Sequence, residues 1–180
     1  MNGDHAFVDE SIRNGTYLMC VTVVRPRHLD EARKALRLMR VRGQHKIHFA
    51  EESDKRRRQL LGDIALLPAK SAIYVARTGD QVGARRLILG AMTSDLIESG
   101  VHRMMLDSRE GQNDRDRQVI HQATTEQPSR PLEYLHLPSA QEPLLWIPDA
   151  VAWAWGRGGS WRSRCQEMGE RLEVRRITAP

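Results

Sequence analysis

The sequence predicts an α/β fold: a mixed β-sheet that begins with an antiparallel hairpin, continues through alternating helices and strands, and carries helices on both faces. Three observations predict it. Two apolar runs, Ala6-Phe7-Val8 and Tyr17 to Val24, flank the polar turn residues Arg13-Asn14-Gly15, the signature of a hairpin. Downstream, segments of helical periodicity alternate with short apolar runs. Such alternation builds a sheet with parallel strands, to which the hairpin adds the antiparallel part.

After the hairpin, Arg25-Pro26 breaks the chain, and a helix is predicted from His28 to Val41 with Leu29, Ala32, Ala35, Leu36 and Met39 on one face, stopped by Gly43. Lys46 to Ala50 reads as a short strand. Ser53 is the expected N-cap of a helix from Asp54 to about Leu67, ended by Pro68. Ser71 to Ala76 is the next strand. A long helix from about Gln81 to Glu98 turns Val82, Ile88, Ala91, Met92, Leu96 and Ile97 inward and exits at Gly100. Val101 to Asp107 is a strand, a helix capped by Asn113 or Asp114 follows, and Leu132 to Leu137 alternates as a strand. A last helix carries Leu144, Leu145, Ile147, Ala150, Val151, Ala152 and Trp153, up to the glycines at 156–159.

The chain of 180 residues suits one domain, expected over residues 1–160 and followed by a basic, weakly patterned tail over 161–180. A chain of this length buries roughly 70% of its unfolded surface. The formal net charge is +5, from 28 Lys and Arg against 23 Asp and Glu, which suits an anionic partner, nucleic acid being the commonest. The start, Met1-Asn2-Gly3-Asp4-His5, lacks the apolar stretch of a secretory leader, and no run approaches the ~18 apolar residues of a membrane span. The expected location is cytoplasmic and reducing, with Cys20 in an apolar run as a core thiol, and a homo-oligomer is left open. Phosphate loops of the Walker type, dinucleotide glycine fingerprints, Cys-x-x-Cys pairs and nucleophile elbows are missing.

The chemistry is carried by acids in apolar settings. Val8-Asp9-Glu10-Ser11 turns from apolar to acidic at the end of a strand, and a buried carboxylate is costly unless it is paired or holds a cation. Asp9 shares a face with Phe7, and Glu10 takes the other. Asp107 follows Met104-Met105-Leu106, and Asp149 stands between Leu144-Leu145-Trp146-Ile147-Pro148 and Ala150-Val151-Ala152-Trp153. Each has a plainer alternative: a turn-entry acid for Asp9 and Asp107, and for Asp149 a first-turn acid favoured by the helix dipole after Pro148. Three acids on separate elements nonetheless predict a site for two Mg²⁺ or Mn²⁺ ions about 3.5–4 Å apart, one activating a water and the other stabilising the leaving oxygen. Ligands of this kind suit hard cations. Glu10 or His48 would orient the water, although a lone His is more often a satisfied core residue. His45 and His48, three apart on a strand, would face opposite sides, which rejects a paired-His metal site.

Lys55-Arg56-Arg57-Arg58 opens a helix, where cations oppose the dipole, so they are candidates for phosphate contact beside the alternative of a solvated basic face. Arg162, Arg164, Arg175 and Arg176 would join them. Among the tryptophans, Trp146 and Trp153 read as core, and Trp161, between glycines and arginines, is the candidate for stacking on bases.

Ala6-Phe7-Val8-Asp9-Glu10-Ser11, Ile47-His48-Phe49, Leu106-Asp107-Ser108 and Leu145-Trp146-Ile147-Pro148-Asp149-Ala150-Val151-Ala152-Trp153-Ala154 together resemble the domain-of-unknown-function 3800 family, a branch of the ribonuclease H-like fold. The resemblance spans residues 6 to 154. It implies a divalent-metal site made by acids on the first strand, a later strand and a C-terminal helix, at Asp9, Asp107 and Asp149. The chain departs from the family pattern at Trp146 and Pro148, where Gln and a small residue are usual, and at Ile12, where Gly is common. It also has Lys46-Ile47-His48 in place of a Glu-x-Lys motif, with Glu51 or Glu52 as substitute acids. The expectation is a metal-dependent nuclease, with a non-catalytic nucleic-acid- or protein-binding module on the same fold as its rival.

Overall fold

A computed structural model describes residues 3–77, 79–109, 111–127 and 132–178. Strand β1 (His5–Arg13) turns back through Asn14 and Gly15, both with positive φ, into β2 (Thr16–Val24). Helices α1 (Leu29–Met39) and α2 (Asp54–Ala65) precede β3 (Ala69–Arg77). Then come α3 (Gln81–Glu98), β4 (Arg103–Asp107), α4 (Asn113–Glu126) and β5 (Glu133–Leu137). The chain continues through α5 (Trp146–Arg157), α6 (Gly159–Gln166) and β6 (Leu172–Arg176).

The six strands lie in the order β5-β4-β1-β2-β3-β6. The β1–β2 and β2–β3 pairs are antiparallel, and β1–β4, β4–β5 and β3–β6 are parallel. The sheet is mixed, as predicted, and helices cover both faces. Alternation along each strand sends one set of side chains to each side. Phe7, Leu18, Cys20, Ile73 and Met105 pack under α1, α2, α5 and α6. Ala6, Val8, Met19, Tyr74, Met104 and Leu106 pack under α3 and α4. Phe7 is fully buried on the first side, so Asp9, two residues on, points toward α5.

Two expectations are corrected. Residues 46–50 form no strand: they are a loop ending in the 3-10 turn Phe49–Glu51. The apolar signal there is real, since Ile47 and Phe49 are buried, but they plug the core beneath α5 while the sheet closes without them. The basic, weakly patterned stretch 161–180 supplies, over its described part, most of α6 and all of β6 (residues 179 and 180 lie outside the described residues). Gly158 and Gly159, at φ 75° and 53°, let the chain turn from α5 into α6. Val82 of α3, expected inside, is 51% exposed. Among the described residues no helix is long and apolar enough to cross a membrane.

Candidate functional site

Asp9, Asp107 and Asp149 come together. Val8 and Leu106 are register partners on the adjacent parallel strands β1 and β4, and Asp9 and Asp107 are each the next residue. Asp149 lies in the first turn of α5, the helix that packs across β1 and β2 on the same side. All three line one open cavity of about 330 Å³, with Lys46, His48, Arg109, Ser139 and Trp153. Asp107 ends β4, whereas Asp9, expected at the end of a strand, stands mid-way along β1, which runs on to Arg13 beside β2.

Each carboxylate is aimed by a backbone amide. The Glu10 N–H donates to Asp9 Oδ1 at 2.7 Å, the Ser139 N–H to Asp107 Oδ1 at 2.8 Å, and the Phe49 N–H to Asp149 Oδ2 at 3.0 Å. The other oxygen of each aspartate has no hydrogen-bond partner among the described residues. The loop carrying Ser139 is anchored in turn, since buried Trp146 donates its indole N–H to the Ser139 carbonyl at 2.7 Å. This explains Trp146 where the resemblance predicted Gln.

Two of the acids, Asp9 and Asp149, have their proton affinity raised. Burial pushes the Asp9 carboxyl well above the ordinary carboxylate range, and the charges of Asp149 and Asp107 push it further, against Arg109 and Lys46. Burial also raises Asp149; the Phe49 amide, His48 and Lys46 pull it back, and Asp107 adds to the rise. Like charges crowded into a desolvated cavity favour a proton or a cation there.

Glu10 also borders this cavity, but its carboxylate is engaged elsewhere. Strand alternation sends its side chain through to the α3–α4 side, where it pairs with Arg85 and Arg109 and accepts from the Tyr17 hydroxyl. Arg85 continues the chain to Asp116, donating from Nε and Nη2 at 2.8 and 2.7 Å, and His136 Nε2 lies 3.0 Å from Asp116 Oδ2. His48 is on the cavity wall, with Nδ1 3.0 Å from Glu51 Oε1. Of the substitute acids, Glu51 makes that pair and Glu52 accepts from Gln44 at 2.9 Å.

The basic cluster divides. Arg57 donates to the Phe49 and Ala50 carbonyls at 2.9 and 2.6 Å and lies 4.4 Å over the Trp153 ring, and Arg56 donates to the Met39 carbonyl. These two fasten the loop before α2, which accounts for cations at an unfavourable helix end. Lys55 and Arg58 are exposed, Arg58 lying 5.9 Å over Trp161. Trp161 is half-buried, edge-on to Trp153 at 5.5 Å, which leaves less of its ring for a base. Arg162 is exposed and lies over Trp155 at 5.0 Å. Sequence reasoning missed Arg109, Lys46 and Arg13 in the cavity wall. Arg109, two residues beyond Asp107, was the one with a readable signal.

The donor set fits a hard divalent cation in kind, with three carboxylates lining one cavity, each with an oxygen that accepts no hydrogen bond among the described residues. Among the described residues, however, no group of three His, Cys, Asp or Glu side chains is spaced to hold one ion as it stands.

A chain of the solved structure of the PCNA:RNase HII complex from Archaeoglobus fulgidus aligns with 91% of this chain and 76% of its own length, at TM-score 0.59 and 13% identity. The fold is ribonuclease H-like. No family model matches the chain, so the likeness to the domain-of-unknown-function 3800 family rests on the quoted motifs alone. No curated protein matches it either.

Proposed function

We propose that this ribonuclease H-like protein is a divalent-metal-dependent nuclease that hydrolyses phosphodiester bonds of nucleic acid, with Asp9, Asp107 and Asp149 as the ligands of Mg²⁺ or Mn²⁺. The observation that carries the reading is that three carboxylates from β1, β4 and α5 line one cavity, each aimed by a backbone amide and two of them raised by burial and by their neighbours. A bound divalent ion supplies an activated water and stabilises the leaving oxygen. His48, on the wall and paired with Glu51, is the group able to take up or return a proton near that water. Lys46, hydrogen-bonded to Ser139 Oγ at 3.1 Å, offers a charge to the substrate phosphate. Lys55 and Arg58 extend that field, and the ribonuclease in the neighbouring structure supports the substrate class.

The test is cutting of labelled single-stranded RNA, single-stranded DNA, duplex and hybrid with Mg²⁺ or Mn²⁺. The expected result is metal-dependent cutting that EDTA abolishes and that Asp9→Asn, Asp107→Asn and Asp149→Asn each reduce by about 10²–10³-fold, the loss typical of removing one electrostatic group from an active site. No cutting of any substrate, or cutting unchanged by the three variants, overturns the reading. The spacing of the acids favours a second reading, a nucleic-acid-binding module without catalysis. It predicts salt-sensitive binding and no cutting.

A further inference from the structure

A second concavity is larger than the acid cavity. It measures about 910 Å³ and lies between the β1–β2 turn, the C-terminal ends of β3 and β6, and the end of α5. Four arginines line it, Arg13, Arg77, Arg162 and Arg176, and no carboxylate does. Among the described residues none of the four makes an ion pair, although seven other arginines do. Arg13 Nε is buried without a hydrogen-bond partner, and Arg77, Arg162 and Arg176 are exposed. Arg162 Nε donates to the Trp155 carbonyl at 3.2 Å and Arg13 lies 4.9 Å over the Trp153 ring, and guanidinium groups without a carboxylate partner around a hollow suit phosphate oxygens.

Two features narrow the ligand. The cavity holds apolar surface among the arginines, from Leu18, Val75, Val174 and the half-buried Trp155, whose ring Arg162 already covers on one side at 5.0 Å. Apolar and aromatic surface beside cations suits a base together with its phosphate, which an unpaired strand presents and an intact duplex does not. Arg13 also lines the acid cavity, so the two hollows meet at one side chain.

We propose that this basin binds single-stranded nucleic acid flanking the bond held at the acid cavity, the backbone on Arg13, Arg77, Arg162 and Arg176 and a base against Trp155. The assignment rests on the nuclease reading for its place along the substrate, but not for the binding itself.

The experiment is fluorescence anisotropy of a labelled 20-nucleotide single strand, and of a blunt duplex of the same sequence, titrated with the full chain in EDTA over a range of salt. For Arg77→Ala/Arg176→Ala the expected result is affinity for the single strand weakened about tenfold or more, with the slope of log K against log salt shallower by about 1.4, two contacts at ~0.7 each. Trp155→Ala weakens it by about fivefold or more, and Lys34→Ala/Arg37→Ala, exposed on α1, leaves it unchanged. Thermal melts check that each variant is folded. Wild-type affinity and slope in the Arg77/Arg176 variant, an equal loss in the α1 control, no binding by the wild type, or equal affinity for the blunt duplex overturns the proposal. Because binding is read without metal, failure of the wild type to cut sinks the nuclease reading and leaves the basin standing, whereas unchanged binding sinks the basin alone.

Discussion

Asp9 and Asp149 are held in an environment that resists their charge, and Arg85 sits in one that depends on its own. Burial, then the charges of Asp149 and Asp107, lift the Asp9 carboxyl well above its unfolded value near 3.9. A group raised in this way binds its proton more tightly folded than unfolded, so stability falls as pH rises from about 4 through the folded value. Asp9→Asn removes the charge and keeps an oxygen for the Glu10 amide. It is expected to stabilise the metal-free protein at pH 7 by about 0.5–2 kcal/mol, the usual yield of relieving a functional site. The gain disappears near pH 4, where wild-type Asp9 is protonated too. Urea unfolding of both proteins at the two pH values checks this, and a destabilised variant at pH 7 contradicts it. Asp116 has the opposite sign. Burial pushes it up, but the hydrogen bonds from Arg85 and His136 outweigh this and hold it below the ordinary value. Its contribution is present above about pH 4 and is lost as pH falls through the lowered folded value. Arg85→Met leaves the buried Glu10 with Arg109 and the Tyr17 hydroxyl alone and the buried Asp116 with His136 alone, and is expected to destabilise by about 3 kcal/mol at pH 7. An unfolding midpoint within error of the wild type refutes that account of the network.

At the scale of elements, legibility followed the strength of periodicity and caps. Helix α3 spans the predicted Gln81 to Glu98, and α2 begins where Ser53 was read as a cap, its hydroxyl accepting from the Arg56 amide at 3.3 Å. Strand β6 was not readable because three of its five residues are charged and it is an edge with only one partner. Yet five register pairs bind it to β3. Deleting residues 169–180 is therefore expected to lower stability by about 2 kcal/mol or more, a handful of ladder bonds at ~0.5–1.5 kcal/mol each. A truncated chain with the wild-type melting temperature shows β6 to be dispensable. The loop at 46–50 misled for the converse reason: Ile47 and Phe49 are apolar because they are buried, and burial alone does not distinguish a strand from a plug.

At the scale of the whole molecule, the sequence marked Asp9, Asp107 and Asp149 as acids in apolar settings, and the face shared with Phe7 favoured Asp9 while leaving Glu10 a candidate. It did not identify Lys46, Arg109 or Arg13 as their neighbours, since those contacts arise only when a loop, a strand end and a hairpin turn close around one space. The ribonuclease H-like sheet sets the middle of β1 beside the carboxyl end of β4, and α5 lies over β1 and β2. The acid cavity and the arginine basin then occupy neighbouring positions, one lined by three aspartates and the other by four arginines. Whether the three carboxylates form a metal site is decided most directly by calorimetric titration of Mn²⁺ into the wild type and into Asp9→Asn, Asp107→Asn and Asp149→Asn. The account predicts saturable binding by the wild type that each substitution weakens at least about tenfold, or ~1.4 kcal/mol. No heat of binding in the wild type, or affinities unmoved by the three substitutions, contradicts it.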